Sequence, residues 1–396
     1  MKLDPYKHEE TWKNWKKEVK TQIPTISKRN SDLILQYLSD MEIGRNISSV
    51  SAKGGRSYAR LNSLRNRMVF FARKFEDLFK IDDITNIEEE QLFKFFYDMT
   101  IGGLKKENGG TYKSVDTYSK IFKAFWHWHM KVNRKNGLDI LDITVDLNTK
   151  QDKPKWVYLD EKQVRKLIDK AKYEYKILIL FLFDSGIRAP TELLNVKISD
   201  LHERTNPNND KKYFELSIRE ETSKTFGRKI KLLICSEMLK EYIVDKQLAF
   251  EDYLFSIKPF MANRYLKNLG KRVLGDVKSR AGQKYSEITL YDLRHCSCCY
   301  YLPRYKSESV LKYRFGWKKS DMIHYYTEFL GMKDTISEED MLIDVTKTEI
   351  EQRLSKSEQE NSILRERIEF VENQMIQVQE LTKMVNVKIR LLEDAT

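Results

Sequence analysis

The stretch ITLYDLRHCSCCYYL, residues 288–302, predicts a helix that begins just before Arg294. A second arginine stands about a hundred residues upstream, in DSGIRAPTELLNVKISDL, residues 184–201. There Arg188 directly precedes a predicted helix start, where Pro190 suits the first turn. Taken alone, each segment is weak evidence of function, because an arginine after a glycine is common. The order in which such segments follow one another carries more information.

A third segment, YRFGWKKSDMIHYYTEFLG at residues 313–331, holds Trp317 and two adjacent tyrosines, Tyr325 and Tyr326. Successive residues of a helix point about 100° apart, so only one of these tyrosines can face a given site. Between the two arginines, Lys224 lies in SKTFG, the turn region of a predicted β-hairpin. The chain therefore brings two arginines, a lysine, a tryptophan and a tyrosine into one part of its sequence.

The hydrophobic periodicity divides the chain into parts. Residues 1–145 are almost entirely helical in pattern, and the polar segment 146–156 is a predicted linker. Residues 157–340 are helical except for strands predicted at 211–220 and 228–234, which would pair as a hairpin. We therefore predict a mainly α chain with a small antiparallel β-sheet: a helical domain followed by an α+β domain.

The C-terminal region predicts a coiled coil over residues 345–394. From Ile350 to Leu392, positions spaced alternately by four and three residues are apolar in ten of thirteen cases. Asn361 falls at an a position, where a buried amide favours two strands. The alternative is one long helix packed against its own domain. We expect self-association through this helix.

Charge indicates the partner. The net charge of +12 favours a polyanion, most simply double-stranded DNA. Residues 51–80 form a predicted basic amphipathic helix, which is either a solvated face or a DNA-binding surface. The candidate DNA-binding residues, on this segment and a second helix, are Lys53, Arg56, Arg60, Arg65, Arg67, Lys120 and Lys123. On the second helix, we expect Phe125, Trp126 and Trp128 to belong to the core.

Other features exclude several classes of protein. The longest apolar run, residues 177–183, is too short to span a membrane, and the N-terminus shows no signal sequence, so we expect a cytoplasmic protein that works on DNA. Three of the four cysteines crowd residues 296–299 with no second cluster to complete a zinc site. We predict small core-facing cysteines, and neither metal nor cofactor.

In this order, the segments resemble the tyrosine recombinase (phage-type integrase) family. GIRAPTELLNV is similar to its GLRxxELLxL signature, YDLRH to its HxLRH signature, and Gly316–Trp317 to a Gly-[His/Trp] pair ten residues before the nucleophile. Counting ten from Gly316 reaches Tyr326. The resemblance covers residues 155–335 well and implies a catalytic domain at residues 157–340. More loosely it reaches the helices of residues 1–145, which are similar to the family's DNA-binding (core-binding) domain. It implies the catalytic set Arg188, Lys224, Tyr291, Arg294, Trp317 and Tyr326.

Each of these residue types suits phosphoryl transfer. A phenol can form a phosphotyrosyl ester that keeps the bond energy for rejoining, without metal or ATP. Two arginines can hold the phosphoryl oxygens with forked donors, joined by the indole N–H of Trp317. Lys224 is the candidate acid for the departing 5′-hydroxyl.

The chain departs from the family pattern at two positions. Tyr291 stands where the family often has histidine, similar to a variant in some archaeal integrases; it implies a positioning role. Glu192 lies four residues after Arg188 rather than three, and could brace Arg188, brace Tyr291 or merely start a helix. We expect His295 to be a packing or supporting residue, and assign no role to His324.

These observations leave three functions open. The first is a site-specific recombinase that binds a site as a dimer and forms a tetramer when two sites meet. The second is a type IB topoisomerase, which uses a similar residue set as a monomer; the predicted coiled coil argues against it. The third is a DNA-binding protein descended from a recombinase and no longer catalytic.

Overall fold

The structure is a computed structural model. It describes residues 4–19, 21–47, 53–150, 154–207, 210–305 and 307–331, and beyond them scattered helical positions between residues 354 and 378. The chain divides into two compact units, Met1–Tyr326 and Thr327–Thr396.

The first part of the chain is helical, as predicted. Its helices are α1 (His8–Glu18), α2 (Lys28–Ile43), α3 (Tyr58–Phe79), α4 (Glu89–Ile101) and α5 (Val115–Lys135). Their apolar faces share one core, whose members run from Trp12 to Leu147. Aromatic rings dominate it: Phe71 meets Phe122 edge to face, with ring centroids 5.2 Å apart. The predicted core residues Phe125, Trp126 and Trp128 are all buried.

Helix α3 explains why the basic segment is amphipathic. The Ser57 side chain accepts a hydrogen bond from the Arg60 backbone N–H and so caps the helix start. The apolar residues at helical spacing are all buried, namely Leu61, Leu64, Met68, Phe71 and Phe75. The basic side chains are therefore confined to the remaining faces of the helix.

The second part combines helices with a small sheet. Its elements are α6 (Glu161–Lys170), α7 (Tyr173–Ser185), β1 (Leu201–Thr205), β2 (Lys212–Ile218), β3 (Arg228–Leu232), α8 (Ser236–Asp245), α9 (Pro259–Leu274), α10 (Leu290–Tyr301), α11 (Glu308–Phe315) and α12 (Asp321–Leu330). The sheet is antiparallel in the order β1-β2-β3. The mainly α fold class and the β2–β3 hairpin are confirmed, whereas β1 was not predicted.

Helix α7 is the centre of this part. From Ile177 to its end every residue is buried, as expected of a helix that is apolar all round. It packs against α10 and ends at Gly186, whose φ of +62° belongs to the left-handed region. A Cβ on Gly186 would lie 2.4 Å from a ring atom of Phe315. Only glycine therefore lets the chain turn toward Arg188 here.

Beyond Gly331, the second unit is described at scattered helical positions only. Most of the predicted coiled coil, residues 345–394, lies outside the described residues. The described apolar a and d positions are more than half exposed: Leu354, Leu364, Ile368, Val371, Met375 and Val378. Among the described residues, no helix is both long and apolar enough to cross a membrane.

Candidate active site

Arg294 lies in the first half of α10 and is buried. Its Nη1 donates to the carbonyl oxygen of Gly186 at 2.5 Å, and its Nη2 donates to the carbonyl oxygen of Phe315 at 2.5 Å. These bonds tie α10 to the ends of α7 and α11. They use two of the five guanidinium N–H groups, so further donors remain for a ligand.

Arg188 is held beside Arg294. Its Nη2 donates to the carbonyl oxygen of Gly316 at 2.8 Å, so the two arginines are anchored on the successive carbonyls of Phe315 and Gly316. Burial, reinforced by repulsion from the Arg188 charge, lowers the pKa of Arg294 to about 10. The two guanidinium groups therefore form a concentrated positive site.

Glu192 is the counterion of this site. Its buried carboxylate accepts a hydrogen bond from Arg188 Nη1 at 2.8 Å. It accepts two more from Arg228, from Nη2 at 2.8 Å and from Nη1 at 3.1 Å. Burial by itself raises the pKa of Glu192, but the bonds and charges of Arg228 and then Arg188 outweigh it and lower the pKa to about 2. Of the three roles left open for Glu192, the structure supports bracing Arg188. No α-helix starts there, because a turn and a 3₁₀ helix, Leu193–Asn195, follow Arg188.

Arg228 is a site residue that the sequence analysis missed. It starts β3 and is buried, and its Nε donates to the carbonyl oxygen of Arg314 at 2.9 Å. It approaches Gly316, where a Cβ would lie 3.0 Å from the Arg228 guanidinium. Gly316 has a φ of +60° and its carbonyl also accepts from Thr225 Oγ1 at 2.9 Å. A glycine is therefore required where the arginines are anchored.

The aromatic residues form a stack next to the arginine pair. The Trp317 ring lies 6.0 Å from Arg294 Cζ and is stacked on Phe315, with centroids 5.0 Å apart. Tyr326 stacks on Trp317, with ring centroids 5.9 Å apart and an interplanar angle of 17°. The structure thus connects the pair of guanidinium groups to one specific tyrosine.

The two adjacent tyrosines face different ways. Tyr326 is 2% exposed, and its hydroxyl is hydrogen-bonded to His295 Nδ1. Burial raises the pKa of Tyr326. Tyr325 instead accepts from Trp156 Nε1 at 2.8 Å and donates to the carbonyl oxygen of Pro154 at 3.2 Å. Tyr325 therefore holds α12 against the segment that precedes α6, and only Tyr326 belongs to the site.

Lys224 is exposed between two anchored neighbours. The Ser223 hydroxyl donates to Glu192 at 3.2 Å, and Thr225 donates to Gly316 as described above. The structure brings the loop to the site without placing the Lys224 ammonium in contact with it.

Tyr291 lies in the first turn of α10 and is 44% exposed. Its ring meets the ring of His295 edge to face, with centroids 5.2 Å apart. His295 is half-buried; burial and then the charge of Arg294 lower its pKa to about 4. The imidazole is therefore neutral at pH 7.

Comparison with known proteins finds a family that resembles the second part of the chain. Residues 157–330 match the family model described as "Phage integrase family". Over these residues the chain is similar to the phage integrase family. The matched region includes every residue of the set that the sequence resemblance implied.

Solved structures share the fold of this chain. A lambda integrase dimer bound to a COC′ core site aligns with a TM-score of 0.54 at 14% identity, over 76% of this chain and 78% of that one. The Tn1549 transposon integrase, in complex with transposon right-end DNA, aligns with a TM-score of 0.51 at 15% identity, over 75% and 93%. At these identities the likeness is one of fold. A search of curated protein sequences finds no match.

The helices that precede residue 157 carry the predicted DNA-binding residues. Lys53, Arg56 and Arg60 line a cavity of about 550 Å³. Arg65 lies over Trp15, at 5.1 Å from the ring centroid, and lines a second cavity of about 750 Å³. These four residues can meet a ligand.

The other three candidates also contact residues of the helical part. Arg67 lies 4.0 Å from the ring centroid of Tyr118, and Lys120 pairs with Asp116 at 3.3 Å. Lys123 Nζ donates to the carbonyl oxygens of Thr144 and Val145 at 2.9 and 3.0 Å. These hydrogen bonds to carbonyl oxygens give Lys123 a structural role within the helical part.

The four cysteines are free and buried, as predicted for core-facing residues. Burial raises the pKa of the thiols on α10, so they are protonated and unreactive while the domain is folded. In the described part of the chain, no group of three His, Cys, Asp or Glu side chains is placed to hold a metal ion.

Proposed function

We propose that the chain is a site-specific DNA recombinase in which Tyr326 attacks a backbone phosphate and forms a 3′-phosphotyrosyl intermediate. The observation that supports this most is the anchoring of Arg188 and Arg294 on the successive carbonyls of Gly316 and Phe315. The next residue, Trp317, stacks on Tyr326. The arginine pair and the proposed nucleophile are thus connected through the three consecutive residues 315–317.

The arginine pair needs an anion. The buried guanidinium of Arg294 and the half-buried guanidinium of Arg188 repel each other, and Glu192, the carboxylate that contacts Arg188, is shared with Arg228. A backbone phosphate between Arg188 and Arg294 relieves that repulsion and accepts charge-assisted hydrogen bonds from their remaining N–H groups. The negative charge on the phosphoryl oxygens grows in the transition state, so preorganised donors stabilise that state more than the ground state.

The covalent step exchanges one phosphate ester for another. The Tyr326 oxygen bonds to phosphorus, the bond to the 5′-oxygen breaks, and the phenolic proton leaves. Lys224 protonates the 5′-oxygen as it departs, since its anchored neighbours keep its loop at the site. Trp317 donates its indole N–H to a phosphoryl oxygen. A DNA hydroxyl then attacks the phosphotyrosine and restores the backbone.

The N-terminal helices bind DNA, and the C-terminal unit joins subunits. Lys53, Arg56 and Arg60 contact phosphates and supply salt-dependent affinity. The exposed apolar a and d positions of the C-terminal unit pair two chains as a coiled coil, giving a dimer on one site and a tetramer when two sites meet. Such a protein works on the DNA of the cytoplasm or nucleoid.

The test is covalent capture on DNA. The protein is incubated with a randomised pool of nicked duplexes, in which the cleaved end diffuses away and religation fails. We expect a denaturation-resistant adduct that is retained by Tyr325→Phe and lost in Tyr326→Phe. Each variant loses one hydroxyl from adjacent positions, so they are matched.

Each other outcome has a meaning. No adduct with the native chain on any duplex would contradict the proposal and favour a DNA-binding protein without catalysis. Relaxation of supercoiled plasmid by a monomer, regardless of sequence, would favour a topoisomerase. Loss of the adduct in Tyr325→Phe alone would transfer the nucleophile to Tyr325.

A further inference from the structure

His295 is placed to act on the nucleophile. Its Nδ1 is hydrogen-bonded to the hydroxyl oxygen of Tyr326, which is the reacting atom of the proposed function. In the family that the sequence resembles, the position of Tyr291 is often a histidine; a phenol cannot shuttle a proton near pH 7 as an imidazole can. Among the described residues, no other imidazole contacts Tyr326.

The ring of His295 is fixed in place by its neighbours. Trp156 stacks on one face, with ring centroids 4.8 Å apart and an interplanar angle of 27°. Tyr291 meets the ring edge to face. The same Trp156 donates to Tyr325, the residue beside the nucleophile, at 2.8 Å. One indole therefore sets the position of both partners in the His295–Tyr326 contact.

We propose that His295 is the general base that accepts the phenolic proton of Tyr326 during DNA cleavage. This inference rests on the proposed function. The imidazole carries its proton on Nε2, and Nδ1 accepts the hydrogen bond. As the Tyr326 oxygen bonds to phosphorus, the O–H electron pair stays on oxygen and the proton moves to Nδ1, giving an imidazolium. Religation reverses the transfer, and Lys224 takes its proton back from the attacking 5′-hydroxyl.

The charges around His295 connect this role to DNA binding. The titratable and charged groups that face it are Arg294 and Tyr291 on α10 and Tyr326 on α12. Burial and the Arg294 charge keep its pKa near 4 without DNA, so the base is neutral but weak. A phosphate bound to Arg294 offsets that charge and raises the basicity of the imidazole. The base therefore gains strength when the substrate is in place.

The test distinguishes the role of the base, His295, from that of the acid, Lys224, by changing the leaving group of the DNA substrate. Single-turnover cleavage is measured on a nicked duplex recovered from the randomised pool, with either oxygen or sulfur at the bridging 5′ position. A thiolate leaves without protonation, because a thiol is far more acidic than an alcohol. We expect Lys224→Ala to be slow with oxygen and restored with sulfur. His295→Asn, whose amide can keep the hydrogen bond but cannot take the proton, should be about 100-fold slower with both.

The controls keep the result specific. His324→Asn changes an exposed histidine of α12 and should cleave at the native rate. Equal DNA affinity of His295→Asn and the native chain shows that the fold is intact; if that variant does not fold, His295→Gln replaces it. The native rate should fall as the pH drops from about 6.5 to 4, where the imidazole becomes protonated, and this limb should be absent in the variant.

Two results would overturn the inference while leaving the recombinase intact. One is a His295→Asn rate within threefold of native, and the other is its rescue by the sulfur substrate. If the native chain itself forms no adduct, the recombinase proposal fails as well.

Discussion

The buried carboxylate of Glu192 allows a quantitative prediction. It lies between Arg188 and Arg228 and has a pKa of about 2, against an ordinary value of 4.5. At about 1.4 kcal/mol per pKa unit, this difference corresponds to about 3 kcal/mol of stability at pH 7. Glu192→Gln removes the charge and leaves the buried Arg228 and the half-buried Arg188 without their carboxylate, a loss of about 3–5 kcal/mol in comparable buried pairs. We expect a decrease of about 3 kcal/mol in the free energy of unfolding.

The pH dependence has a definite sign. Because folding lowers the pKa of Glu192, its stabilisation is complete above the unfolded pKa and is lost as the pH falls from 4.5 toward 2. The difference between the native chain and Glu192→Gln should shrink from about 3 kcal/mol at pH 7 to about 1.5 kcal/mol at pH 3. Native-state hydrogen exchange, read by mass spectrometry on peptides of residues 157–330, measures this domain within the full chain.

A matched substitution checks that the effect comes from burial. Glu221→Gln removes a carboxylate that is 58% exposed and pairs with Arg219 at 3.2 Å, and should change stability by less than about 0.5 kcal/mol. A Glu192→Gln chain within about 1 kcal/mol of native at pH 7, or a difference that persists unchanged at pH 3, would refute the reasoning.

Three further predictions concern other parts of the chain. Gly316→Ala places a Cβ at a φ of +60° and 3.0 Å from the Arg228 guanidinium, and should cost about 1–3 kcal/mol in denaturant unfolding; an unchanged unfolding midpoint would contradict the tight approach. Arg60→Gln should reduce the slope of log affinity against log salt by about 1 in DNA titrations, whereas Lys123→Gln should leave it unchanged, because Lys123 binds carbonyl oxygens; equal slopes would remove Arg60 from the DNA surface. Ile368→Asp introduces a charge at an apolar a position and should convert a dimer to a monomer in sedimentation velocity; a monomeric native chain would disprove the pairing.

The sequence predicted most of the fold because its periodicities are strong. Helix α3 follows from apolar residues at helical spacing, and the hairpin of β2 and β3 from alternation. Strand β1 was missed because only Leu201 of its five residues is buried, so it lacks the alternation that marks a strand. An exposed edge strand gives little hydrophobic signal.

Residues of the candidate site could be singled out from the sequence where spacing or motif carries the information. Gly316 and Tyr326 are ten residues apart, and the structure connects them through Trp317. Arg228 could not be found in this way, because its partner Glu192 lies 36 residues away and the contact exists only in the folded chain. The contact between His295 and Tyr326 is likewise invisible in the sequence, since it joins side chains of two helices.

The burial of all four cysteines has a practical consequence for experiments on this protein. A maleimide or iodoacetamide reagent should leave the folded chain unmodified, because the thiols on α10 are protonated and shielded from solvent. A fluorophore for measuring distances can therefore be attached at one engineered cysteine on the surface without removing the native ones. Conversely, the rate at which Cys296 or Cys298 is slowly modified would measure how fast the helix that carries Arg294 and His295 opens.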